Sequence, residues 1–158
     1  MQRNPITPEG YTRLEAELKH YKSVLRPQCI KDIAEARAHG DLSENAEYDA
    51  AKERQGMVEA KIAHMETRLA TAEVIDVHTV PQTGMVIFGT TVELMNVDTE
   101  EELSYRIVSD YEADVKQGLI SYTSPIGKAL IGKSEGDEVR VMAPGGARSY
   151  EILEVKYV

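Results

Sequence analysis

The stretch Ala36-Arg37-Ala38-His39-Gly40-Asp41-Leu42-Ser43-Glu44-Asn45-Ala46-Glu47-Tyr48 decides the fold. A long helical pattern runs into it from either side, and His39-Gly40-Asp41 is the break between the two. Gly40 can take the left-handed conformation that ends a helix, and Asp41 is a good N-cap for the next one. The simplest product is two antiparallel helices joined by a tight turn. Polar and acidic residues then occupy the extreme end.

Toward the N-terminus, Leu14, Leu18, Tyr21 and Leu25 recur at spacings of four, three and four, an amphipathic stripe. Thr7-Pro8-Glu9 marks its start: Thr7 as N-cap, Pro8 at the first helical position, Glu9 against the positive helix end. Pro27 interrupts the stripe. It removes the hydrogen bond to the Ser23 carbonyl, at about 3 kcal/mol in a helix interior, which predicts a kink. Cys29, Ile33 and Ala36 continue the stripe with a shifted phase.

Beyond the turn, Tyr48, Ala51, Gln55, Val58, Ile62, Met65, Leu69 and Ala72 alternate threes and fours. That is a heptad seam with Gln55 as its only strongly polar member. Such a seam suits either a dimerising coiled coil or an intramolecular hairpin. A Gly-containing turn between stripes of matching length favours the hairpin. Two helices bury only a narrow seam, so the length of the arm is better explained by reach.

After Val80-Pro81-Gln82-Thr83-Gly84 the apolar period changes to two. Met85 to Phe88, Thr91 to Val97, Leu103 to Val108, Val139 to Met142 and Ser149 to Val158 read as strands. Ser124 to Gly132 reads as one short helix, with Ser124 as N-cap, Pro125 first and Gly132 as its stop. Pro144-Gly145-Gly146 is a turn between the last two strands. The fold class is therefore α+β: a helical hairpin over residues 1–78, then an antiparallel sheet with a helix packed on it over residues 79–158.

The bulk properties narrow the function. The formal net charge is −9, divided as −3 over residues 1–79 and −6 over residues 80–158. A chain this acidic has little long-range attraction for free DNA or RNA, so any nucleic acid it meets is presented by a larger partner. A single cysteine, Cys29, excludes an internal disulfide framework and any zinc site that needs two thiolates. The N-terminus lacks an apolar signal region, and no apolar run is long enough to span a membrane; the expected location is the cytoplasm.

No nucleophile-and-base constellation is visible, and there is no phosphate-binding glycine loop. His20, His39, His64 and His78 show no ligand spacing and read as surface residues. The acidic end is different. If the second helix has begun, Asp41 and Glu44 share one face with β-carbons about 5–6 Å apart, close enough to hold one divalent cation between them. The same pair also reads as a capping box, and the two roles are compatible because a cap uses only part of a carboxylate's acceptor capacity. Mg²⁺ wants six oxygen ligands, so two exposed carboxylates would bind it weakly unless a partner supplies the rest. Arg37, Lys52 and Arg54 form a small basic cluster that is either a solvated helix face or a guide for phosphate.

Ala34 to Tyr48 taken whole resembles the signature of the bacterial Gre-type transcript cleavage factors. Ser124-Pro125-Ile126-Gly127-Lys128-Ala129-Leu130-Ile131-Gly132 resembles their second recognisable segment, and the similarity covers essentially the whole chain. The modest basic cluster fits the branch with the sparser basic patch on its arm. The resemblance implies that the hairpin enters the secondary channel of RNA polymerase. There Asp41 and Glu44 would help hold the second, weakly bound Mg²⁺ of the polymerase active centre, with Ser43 orienting water or a phosphate. It implies hydrolysis of backtracked RNA by a two-metal mechanism, the ions about 3.5–4 Å apart, with the chain itself not a stand-alone enzyme. Arg37, Lys52 and Arg54 would face the nascent RNA 3′ segment. The second half would be the family's FKBP-like domain, docking on the coiled coil at the channel rim through Thr123-Ser124-Pro125. The chain would act as a monomer, away from membranes.

An FKBP-like fold also raises prolyl isomerisation, which needs an aromatic-lined pocket; one phenylalanine, Phe88, and no tryptophan argue against it. Two rivals keep the architecture: an anti-cleavage factor that occupies the channel without assisting hydrolysis, and a purely structural coiled-coil adaptor. Anti-cleavage relatives depart from the family at the tip, whereas both carboxylates are present here. A zinc-finger channel binder is excluded by the single cysteine.

Overall fold

Thr7 sets the start of the first helix. Its hydroxyl oxygen accepts from the Gly10 N–H at 3.0 Å, Pro8 follows at the first helical position, and α1 runs Pro8–His20. The computed structural model describes residues 3–40 and 45–158. Over Tyr21–Leu25 the backbone winds as a π-helix, and α2 continues over Arg26–Ala38. This is where the sequence predicts a kink. With no N–H at Pro27 to bond Ser23, the ladder widens: the Arg26 N–H reaches the Tyr21 carbonyl, one residue further back than in an α-helix.

Helix α3 spans Ala46–Ala70. Residues 22, 26, 32 and 39 of the first arm meet 66, 59, 54 and 47 of α3 in ion pairs, one number rising as the other falls, which defines an antiparallel hairpin. The seam reads as the periodicity predicts. Cys29, Ile33 and Ala36 are buried on one side, Ala51, Ile62 and Met65 on the other, and Gln55, Val58 and Leu69 are half-buried. Ala72 leaves the seam, because it opens β2 (Ala72–Val74), which pairs with β1 (Asn4–Ile6). Arg26 forks onto both oxygens of Glu59 at 2.8 Å, and that hydrogen bond holds the Glu59 carboxyl below the usual carboxylate range. Both groups are solvent-exposed, so the pair fixes register more than it stabilises.

The second half is a five-stranded sheet in the order β5-β4-β3-β7-β6. Strands β3 (Thr91–Asn96), β4 (Glu102–Val108), β6 (Glu138–Ala143) and β7 (Gly146–Lys156) pair antiparallel. Ala143 pairs with Gly146, so Pro144-Gly145 is the two-residue turn between β6 and β7. Strand β5 (Leu119–Ser121) runs parallel to β4, which makes the sheet mixed; apolar alternation marks a strand but not its direction. Met85 to Phe88, expected as a strand, is an isolated bridge from Met85 to Ser134. The partners of this segment lie in the loop after α4 (Pro125–Leu130): Val86 N–H bonds Lys133 at 2.7 Å and Gly132 N–H bonds Val86 at 2.9 Å. Val86 is nonetheless fully buried, alongside Val92, Leu94, Ile107, Leu130 and Ile152 in the core.

By contact density the chain forms two units, one containing Tyr11–Ala72 and the other Arg3–Gly10 with Glu73–Val158. A buried carboxylate holds the N-terminal segment in the second unit. Glu112 accepts from the Thr7 N–H at 3.3 Å, the Ser109 N–H at 3.2 Å, the Ser109 hydroxyl at 2.7 Å and the Thr7 hydroxyl. A β-carbon on Gly10 would lie 2.2 Å from Glu112 Oε1, so that approach requires glycine. Among the described residues no helix is long and apolar enough to cross a membrane. Replacing Glu112 with alanine strands the buried Thr7 and Ser109 donors, and the expected loss is about 3 kcal/mol. Urea unfolding of Glu112→Ala against the parent measures it; a loss below about 1 kcal/mol would show that water replaces the carboxylate.

Candidate functional site

At the hairpin end, α2 stops at Ala38 with His39 as its C-cap, and Gly40 takes φ +103°, the positive value that the turn reading requires. The nominated catalytic and metal-binding residues Asp41, Ser43 and Glu44 lie outside the described residues. The N-cap of α3 is Asn45, in place of the expected Asp41: its backbone is extended, and Oδ1 accepts from the Tyr48 N–H at 3.0 Å. The helical-face and capping-box arguments for Asp41 and Glu44 both start the second helix at residue 41, whereas α3 starts at Ala46.

Asn45 does a second job. Its Nδ2 donates at 2.6 Å to the Ala36 carbonyl in the last turn of α2, which also accepts from the His39 N–H at 3.2 Å. A single side-chain amide thus joins the last turn of one helix to the first turn of the next. The Arg37 guanidinium lies 5.8 Å from the centre of the Tyr48 ring, and His39 Nδ1 lies 3.1 Å from Glu47 Oε2. The four histidines are exposed, as expected.

The basic cluster divides between two faces. Arg37 and Lys52 line one hollow of ≈ 280 Å³ with Ile30, Ile33 and Gln55, and Lys52 donates to Gln55 Oε1 at 3.4 Å. Arg54 lines another, of ≈ 470 Å³, with Asp32, His39 and Glu47, and its Nη2 lies 3.6 Å from Asp32 Oδ2. Among the described residues no group of three or more His, Cys, Asp or Glu could hold a metal ion.

In the second unit, Thr123 and Pro125 are exposed and Ser124 caps α4, its Oγ accepting from Gly127 N–H at 3.1 Å. A β-carbon at Gly127 would lie 2.3 Å from the Ser121 carbonyl, so the first turn of α4 sits directly on the loop backbone. Asp110 Oδ1 accepts from the Thr123 hydroxyl at 2.7 Å and from the Ser121 hydroxyl. Neither Asn45 nor Asp110 is nominated by the sequence reading. Asn45 carries a usable signal, an N-capping residue three before Tyr48; Asp110 carries none, because its partners lie 11 and 13 residues away.

A family model described as "Transcription elongation factor, N-terminal" matches residues 4–74, and one described as "Transcription elongation factor, GreA/GreB, C-term" matches residues 81–157. The Transcription elongation factor GreA of Pseudomonas aeruginosa is 57% identical over 158 residues, covering 100% of each chain. That of Neisseria meningitidis serogroup A is 53% identical over 158 residues, again 100% of each. Among solved structures, GreA factor homolog 1 of Thermus thermophilus is 30% identical with a TM-score of 0.45, covering 98% of this chain and 99% of that one.

Asn45→Ala removes both the cap of α3 and the bond to Ala36, and the hairpin should lose about 2 kcal/mol. Asn45→Asp keeps the cap acceptor but not the amide donor and should lose about half of that. Unfolding followed by helical circular dichroism checks the order; an Asn45→Asp variant as stable as the parent would mean that the bond across the turn contributes nothing.

Proposed function

The chain belongs to the GreA/GreB transcription elongation factors, and from that premise we propose that it enters the RNA polymerase secondary channel and stimulates the polymerase's hydrolysis of backtracked nascent RNA. The observation that carries this reading is the hairpin end. Helices α2 and α3 are tied together by Asn45, and the chain between them, residues 39–45, includes Asp41-Leu42-Ser43-Glu44. Two carboxylates within four residues, at the turn of a narrow two-helix arm, suit insertion into a partner better than action alone.

In this reading the Asp41 and Glu44 carboxylates lend oxygen ligands to a Mg²⁺ ion held jointly with the polymerase. That ion supplies Lewis acidity for the attacking water and the leaving oxygen. Ser43 orients water or a phosphate oxygen. Arg37 and Lys52 on one face, and Arg54 on the other, place positive charge on both sides of the arm for the RNA 3′ segment. Thr123, Ser124 and Pro125 dock on the polymerase at the channel rim. The chain works in the cytoplasm as a monomer and is no enzyme alone: two carboxylate side chains leave the octahedral shell of Mg²⁺ incomplete.

RNA cleavage in backtracked elongation complexes tests this. The Asp41→Ala, Glu44→Ala double variant should lose stimulation by at least about a hundredfold while still binding polymerase. Full stimulation in that variant would refute the site. Suppression of the polymerase's own cleavage by the parent chain would make it an inhibitor on the same scaffold. Pro125→Ala should instead weaken polymerase binding by about tenfold, and an unchanged affinity would refute the docking loop.

A further inference from the structure

We propose that Asp110 is a positioning residue for docking: its carboxylate holds Thr123-Ser124-Pro125 in the shape that meets the partner. The inference rests on the docking reading above and adds the device that makes the loop a preformed surface.

The loop is short, running from the end of β5 at Ser121 to the first residue of α4 at Pro125. One oxygen of Asp110, Oδ1, accepts hydrogen bonds from two hydroxyls, Ser121 Oγ and Thr123 Oγ1. Those hydroxyl oxygens lie 2.8 Å from each other. Each hydroxyl has one proton, so with both directed at Asp110 the carboxylate sets both rotors at once. The backbone follows. Thr123 N–H donates to Ser121 Oγ at 3.1 Å, and Ser124 Oγ donates to the Ser121 carbonyl at 2.6 Å while accepting from Gly127 N–H. Ser121 is therefore the hub, and Asp110 holds the hub from outside the loop.

Asp110 is itself exposed and belongs to no apolar cluster, so a role in core stability does not account for it. Charge-assisted hydrogen bonds to hydroxyls are stronger than neutral ones, which suits a loop that must keep its form in water. A loop already ordered before contact loses less conformational freedom on binding, so a preset loop raises affinity without adding a contact. This separates Asp110 from the acidic end of the hairpin: Asp110 governs how much factor is bound, not how fast bound factor works.

The test titrates parent, Asp110→Ala, Asp110→Asn and Pro125→Ala into backtracked elongation complexes, reading half-saturating concentration and saturating cleavage rate separately. Asp110→Ala should raise the half-saturating concentration about tenfold with the saturating rate unchanged. Asp110→Asn keeps an acceptor oxygen at the same place and should stay within about threefold of the parent. Amide hydrogen exchange gives an independent readout: Thr123 should exchange faster in Asp110→Ala, while the strand amides of Val92 and Leu94 keep their protection and show that the sheet is folded. An unchanged half-saturating concentration in Asp110→Ala, or a reduced saturating rate, overturns the proposal. So does an Asp110→Asn variant as weak as the alanine with Thr123 exchange undisturbed, since the carboxylate would then be a direct charge contact. If Pro125→Ala also leaves binding unchanged, the docking reading itself fails; if Pro125→Ala weakens binding and Asp110→Ala does not, only the role of Asp110 falls.

Discussion

A hairpin of two helices has one buried stripe on each helix and no further layer behind it, so the whole arm depends on that seam. Its buried members become small toward the turn: Ile33, Ile62 and Met65 give way to Ala36 and Ala51. Burying one methyl group is worth under about 1 kcal/mol, against about 1.5–3 kcal/mol for an isoleucine or methionine side chain. Apolar packing is thus weakest where the chain must reverse, and directional bonds take over there. Asn45 uses its amide donor on Ala36 and its carbonyl on Tyr48, both backbone groups with fixed positions. The His39–Glu47 pair beside it is exposed on both sides and contributes at most about 1 kcal/mol. The amide, not the ion pair, closes the end.

The second unit rests on a different constraint. Glu112 is buried, and a buried carboxylate is unfavourable unless its oxygens are fully engaged. Two backbone amides and two hydroxyls engage them, and the bonds to Thr7 join positions 105 residues apart. The same Thr7 hydroxyl that donates to Glu112 accepts from Gly10 and starts α1. A helix cap and a long-range closure therefore share one side chain. Residues Arg3–Gly10 consequently belong with Glu73–Val158, and the chain passes between units twice, at Gly10 and at Ala72.

What was legible in the sequence is what local chemistry encodes. Thr7-Pro8, Gly40 and Ser124-Pro125 mark helix ends through the conformations and caps those residues favour, and the structure uses each of them that way. The seam was legible because its period is the helix period. Pro27 announced a missing bond but not its remedy, since a kink and a π-turn both follow from one absent N–H. Met85 to Phe88 is a short apolar run that reads as a strand, yet strand formation needs a partner, and the loop after α4 offers only an isolated bridge. β5 is three residues long, too short for a period to show. Asp110 was silent because its partners lie 11 and 13 residues away, and Glu112 because its closure onto Thr7 spans 105 residues. The acidic pair was legible by resemblance more than by spacing: Asp41 and Glu44 three apart fit a cap as well as a ligand pair, and the actual cap of α3 is Asn45.

On the proposed function, the weakness of the acidic end is a requirement. A net charge of −9 gives the chain no general attraction for RNA, and two carboxylates cannot complete the shell of a Mg²⁺ ion. Residence on the partner must then come from a separate contact, and the loop around Thr123 has the fixed geometry for one. In that reading, once the contact formed, the hairpin would meet its target as an intramolecular event, at an effective concentration of about millimolar. Under those conditions a weakly binding end suffices. A cation site complete in itself would fill its own coordination positions and leave none for the oxygens of a partner or of RNA. On that reading, incomplete coordination would keep those positions open and make the chemistry conditional on docking.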